Sequence, residues 1–127
     1  MKMLFVAALL LTSPVLAHEG HELPGQLKAT HGGLIKTGKQ MNMEMVYTGD
    51  TVRFYPQPHP GETIDMAQVK LSGSSKTPKG KPQTLSFTSD GKSFSTRVDL
   101  QGSYRADLDI KVDYENKIDQ FKFLVEK

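Results

Sequence analysis

The chain has no cysteine and no tryptophan, and aromatic residues make up only 8% of it. Without cysteine no disulfide can staple the fold, and no thiolate can act as nucleophile or ligand. Any metal site must therefore be built from His, Met, Asp or Glu. Charge of one sign is missing as well. Setting aside Lys2 in the leader described below, 15 basic residues face 14 acidic ones. A chain this close to neutral, with no aromatic platform beside its lysines, offers no nucleic-acid surface. Catalytic signatures are absent too. There is no Gly-x-Ser-x-Gly elbow and no phosphate-cradling glycine loop, and the "HEGH" of residues 18–21 lacks the i, i+4 histidine spacing of zincins. A non-enzymatic role is expected.

One long apolar run exists, at residues 3–11 of "MKMLFVAALLLTSPVLA". It is shorter than the roughly 20 residues a membrane span needs. It follows Lys2 and precedes Val15-Leu16-Ala17, which is the layout of a secretory signal peptide. Residues 1–17 are read as that leader, with no stable membrane span and a periplasmic destination. Cleavage after Ala17 makes His18 the first mature residue. Residues 18–30 carry Pro24 and Gly25 and no hydrophobic periodicity, and read as a flexible arm. Residues 31–127 form the folded domain.

Within that domain the dominant pattern is alternation. "QMNMEMVY" sets Met41, Met43, Met45 and Tyr47 against Asn42, Glu44 and Val46. "TVRFYP", "AQVKLSG", "TLSFTS", "SFSTRVDL", "YRADLDIKV" and "KIDQFKFLVE" continue the period of two. Hairpin turns are expected at Thr48-Gly49-Asp50, Ser89-Asp90-Gly91-Lys92 and Tyr114-Glu115-Asn116-Lys117. No window supports a long amphipathic helix. The expected fold is all-β, an immunoglobulin-like antiparallel β-sandwich of seven to eight strands after the flexible arm, with a small barrel as alternative. "LQGSY" places Tyr104 at a strand start in the manner of a tyrosine corner. The methionine face is expected to be core, since Asn42 and Glu44 lie on the opposite, wet side. Scattered carboxylates are likewise expected to keep outer faces solvated. The basic connection "SSKTPKGKP" reads as a solvated loop.

Four histidines carry the candidate chemistry: His18, His21, His31 and His59. A mature His18 has a free α-amine beside its own imidazole. Amine nitrogen and ring Nδ1 can chelate one ion in a geometry suited to square-planar Cu(II). The ion must displace the amine proton, whose reference pKa is about 7.7–8.0. His21 adds a second imidazole. His31 opens "HGG", where two glycines allow close approach, and His59 sits in the stiff "PQPHPGE". Extended chain spans at most about 3.3–3.6 Å per residue, enough for the arm to fold back to His31 or His59, or to reach outward to another protein. The competing reading is a polar terminus and exposed turns in which histidine is incidental.

"ATHGGLIKTGKQMNMEMVY", "VRFYPQPHPGE" and "AQVKLSG" together resemble the small β-sandwich domain near the start of periplasmic adaptor subunits of heavy-metal efflux pumps, and related free-standing periplasmic proteins. In that pattern a His-Gly-Gly opens the domain, a glutamate follows on a strand, and a histidine or acidic residue precedes a glycine after the second long strand. His31-Gly32-Gly33, Glu44 and His59-Pro60-Gly61 stand at those places. The resemblance implies periplasmic metal handling tied to heavy-metal resistance, with His31 the leading ligand. The chain shows none of the helical hairpin, lipoyl or barrel segments of the adaptors, so a free-standing accessory protein is expected. His18 alone is similar to the first residue of periplasmic copper-resistance sandwiches. The expected function is copper sequestration or transfer, other divalent transition metals remaining open, with an efflux-pump or other envelope protein as partner. The alternative is a non-catalytic envelope interaction domain with no metal role.

Overall fold

The computed structural model describes residues 27–127. The expected leader, and the candidate ligands His18 and His21, lie outside those residues. Nine strands follow in order: β1 (Leu34–Thr37), β2 (Asn42–Thr48), β3 (Thr51–Gln57), β4 (Val69–Lys76), β5 (Gln83–Thr84), β6 (Thr88–Ser89), β7 (Phe94–Arg97), β8 (Arg105–Tyr114) and β9 (Lys117–Glu126). They form two antiparallel sheets, one ordered β1-β2-β3-β7-β6 and the other β5-β4-β8-β9. The fold is an all-β sandwich. Helical structure among the described residues is one 3-10 turn at Met66–Gln68, and no helix there is long and apolar enough to cross a membrane.

Alternation explains the long strands. Ala106, Leu108, Ile110 and Val112 of β8 face inward, opposite Val125, Phe123, Phe121 and Asp119 of β9. Met41, Met43, Met45, Val52 and Phe54 supply the opposing layer. The methionine face is therefore core, where unbranched thioether chains fill the space between the sheets. Expected hairpins close at all three places. Thr48 pairs with Thr51 across Gly49, at φ 66°. Gly91 turns β6 into β7 at φ 90°. Glu115 and Asn116, both at positive φ, give the two-residue turn whose twist matches the flanking strands.

Three sequence readings need correction. "TLSFTS" is not one strand. Thr84 ends β5 in the four-stranded sheet and Thr88 begins β6 in the other, with Leu85 buried at the crossing and its N–H donated to the Gly73 carbonyl. That split, with the short edge strand β1, raises seven alternating segments to nine strands. Tyr104 is no tyrosine corner: it is 62% exposed and precedes β8. Finally, Glu44 and Asp119 do not keep outer faces wet. Both are buried.

Candidate functional site

Glu44 lies in the middle of β2, between Ile35 of β1 and Tyr55 of β3 on the outer face of the five-stranded sheet. Its side chain is nevertheless fully buried, because residues 30–33 fold over it. An unpartnered carboxylate there would be very costly. This one has donors on both oxygens. Oε2 accepts from the backbone N–H of His31 and of Gly33, each at 2.8 Å. Oε1 accepts from His31 Nδ1 at 3.0 Å, Gln57 Nε2 at 3.0 Å and Thr30 Oγ1 at 3.4 Å. Gln57 Nε2 also donates to Thr30 Oγ1, tying the network together.

Each residue of His-Gly-Gly has a separate task in this cradle. Gly32 takes φ +75°, turning the chain so that the N–H groups on either side point at the same oxygen. Gly33 passes so close to β2 that a Cβ would strike the Met45 carbonyl oxygen. His31 supplies both an N–H and its ring, which lies against Tyr55 with centroids 3.6 Å apart at 55°. Burial on its own pushes the Glu44 carboxyl up and is the largest single influence on it. The hydrogen bonds from the His31 ring, Gly33 N–H and His31 N–H, with the His31 charge, together outweigh it. The carboxyl ends below its ordinary value.

An ionised carboxylate only accepts, so Nδ1 of His31 carries a proton. In the neutral ring the lone pair is then on Nε2, and the side chain is 48% exposed. A carboxylate behind one ring nitrogen, with the other nitrogen open, is the arrangement that orients histidine ligands toward metals.

His59 is held elsewhere. Its Nε2 lies 3.3 Å from the Lys39 carbonyl oxygen, a contact in which the ring must donate. The Glu62 N–H closes a turn onto the His59 carbonyl, and Gly61 has φ +80°. His31 and His59 thus rest on different anchors. Among the described residues, no group of three or more His, Asp or Glu side chains could hold a metal ion. Asp119 serves a second cradle: it accepts the N–H groups of Lys39, Gln40 and Met41 at 3.0, 2.7 and 3.3 Å, fastening the β1–β2 turn to β9.

Sequence reasoning singled out His31, Gly32, Gly33 and Glu44 but did not join them into one contact. It passed over Thr30, Tyr55 and Gln57 entirely. Hairpin register could have found the last two: with Thr48-Gly49-Asp50-Thr51 as the turn, Tyr55 falls opposite Glu44, and Gln57 is next on that face.

No protein-family model matches the chain, and no curated protein does. Among solved structures it is similar to a DUF4426 family protein from Pseudomonas aeruginosa PAO1, with a TM-score of 0.53 and 17% identity, covering 74% of this chain and 96% of that one. The likeness is one of fold. It agrees with the all-β architecture, and the resemblance to efflux-adaptor domains finds no counterpart in it.

Proposed function

We propose that the protein is a periplasmic metal-binding sandwich, handling copper for sequestration or transfer in heavy-metal resistance, with His31 as its structured ligand. The observation that carries this reading is the Glu44–His31 pair. It favours the tautomer that keeps Nε2 open, on a ring that lies against Tyr55. One imidazole does not make a site. The remaining donors come from His18, with its amine, and His21, with His59 a further candidate if its turn moves. Cu(II), bound by nitrogen donors in a tetragonal set, matches that inventory.

Titration of the secreted chain with Cu(II), followed by electron paramagnetic resonance, tests the reading. Hyperfine coupling from several nitrogens is expected, and His31→Ala and His18→Ala each weaken binding. Glu44→Gln lowers affinity about 10–100-fold, the usual effect of removing the partner behind a ligating histidine. Adding one residue before His18 moves the amine away while keeping every histidine, and also weakens binding. Absence of nitrogen coupling, or unchanged affinity in both histidine variants, refutes the proposal. The second reading, an envelope interaction domain without metal, is favoured by the completeness of the Glu44 network, which fastens residues 30–33 to the sheet with no ion. It predicts that Glu44→Gln lowers stability alone.

A further inference from the structure

At one end of the sandwich, away from the His31–Glu44 pair, residues 77–80 and 101–104 enclose an open cleft of about 580 Å³. Its lining includes Tyr104, Gln101, Ser103, Lys79 and Pro78. Three features set it apart. Tyr104 is the most exposed large apolar side chain among the described residues, at 62%, and the guanidinium of Arg105 lies 5.7 Å from its ring centroid. Gln101 has φ 53° and is followed by Gly102 at φ 78°, in a turn closed by the Ser103 N–H on the Leu100 carbonyl at 2.8 Å. A glutamine at that left-handed position costs on the order of 1 kcal/mol where glycine or asparagine would be easier. Its side chain is also held in place. Thr77 Oγ1 donates to Gln101 Oε1 at 3.3 Å, and a Cβ on Gly80 would stand 2.6 Å from that same oxygen. With Oε1 engaged, the amide NH2 end has no protein partner among the described residues.

We propose that this cleft binds a saccharide chain, through stacking on Tyr104 and hydrogen bonds from Gln101, Ser103 and Lys79. A pyranose presents a flat C–H face that covers an aromatic ring, and a rim of hydroxyls that both donate and accept. The cleft supplies the matching parts: a largely exposed aromatic ring that Arg105 leaves room to cover, an amide whose oxygen is engaged by Thr77 and whose NH2 end is not, a hydroxyl and an ammonium group. A peptide fits less well. The cleft is shallow and has no enclosed apolar pocket for a side chain, and no unpaired strand edge lines it. The proposal is independent of metal binding, since none of its residues touches His31 or Glu44.

The test is a titration of the ¹⁵N-labelled secreted chain with chitotetraose, and separately with a proline-rich tetrapeptide, followed by amide chemical shifts. Shifts confined to residues 77–80 and 101–104 on adding chitotetraose are expected. Tyr104→Ala weakens binding about tenfold or more, as loss of an aromatic stacking platform does. Gln101→Gly relieves the backbone and keeps the fold, so its weaker binding separates loss of the amide from unfolding. His31→Ala leaves saccharide binding unchanged. Absence of shifts with chitotetraose overturns the proposal, and so does binding that survives Tyr104→Ala. Shifts produced by the tetrapeptide alone overturn it in favour of a peptide site.

Discussion

Removing the Glu44 carboxylate is the sharpest test of how this domain is held together, and alanine and glutamine should behave differently. In Glu44→Ala the N–H groups of His31 and Gly33 and the His31 ring lose their acceptor, and the Gln57 amide keeps only Thr30 Oγ1. A buried donor left unsatisfied costs about 1–3 kcal/mol. The two backbone groups cannot turn away while Gly33 lies against β2, whereas the half-exposed His31 ring can find water. The expected loss is about 3–5 kcal/mol, much of the 5–15 kcal/mol that holds a typical domain. In Glu44→Gln the carbonyl oxygen keeps both backbone bonds, and the new NH2 faces His31 Nδ1 and the Gln57 amide, which must turn its own oxygen inward to accept. The histidine can accept that bond only by moving its proton to Nε2. The loss is then about 1–2 kcal/mol, the difference between charge-assisted and neutral hydrogen bonds. Urea unfolding measures both variants, through a lower midpoint at unchanged slope. Ring ¹⁵N shifts of His31 report the change of tautomer. A Glu44→Ala loss under about 1 kcal/mol, or an unchanged tautomer in Glu44→Gln, refutes the reasoning.

The glycines of His-Gly-Gly separate by mechanism. Gly32→Ala meets open space but a positive φ, and costs about 1 kcal/mol. Gly33→Ala drives a Cβ into the Met45 backbone and costs more, because β2 cannot give way; equal losses in thermal unfolding would contradict this. Met43→Ala empties a fully buried position between the sheets and is expected to cost about 2–5 kcal/mol by urea unfolding. For the metal-free chain, the lowered Glu44 carboxyl makes a contribution to stability that is present above its ordinary value of 4.5 and lost as pH falls through the folded value. Acid titration of the urea midpoint should therefore drop below pH 4.5 more steeply in wild type than in Glu44→Gln.

Much of the fold was legible in the residues themselves. β8 announces its inward face by strict alternation, β9 only in part, since Ile118 and Leu124 face outward and Asp119 inward, and the Gly49, Gly91 and Glu115-Asn116 turns are marked by their residue types. The segment at 84–89 was misread because alternation continues unbroken while the chain changes sheets, and periodicity reports which side a residue faces rather than which sheet it joins. Tyr104 failed for a related reason. Parity placed it with Ala106 and Leu108, but the turn at Gln101 and Gly102 releases the chain before the core layer begins.

Composition and alternation suffice for the class: an all-β sandwich without disulfides, with Met41, Met43 and Met45 in its core and histidine imidazoles among the available metal donors. What Glu44 and Asp119 do follows from packing between distant stretches of chain. Alternation put Glu44 outward, and outward reads as wet until another stretch of chain covers it. Residues 30–33 do so, and they lie eleven or more positions away in sequence. Nothing local to β2 encodes that cover. The loop at 39–41 and Asp119, some eighty residues apart, repeat the case. A carboxylate's environment is the sum of what packs against it, and that sum exists only once the chain has folded.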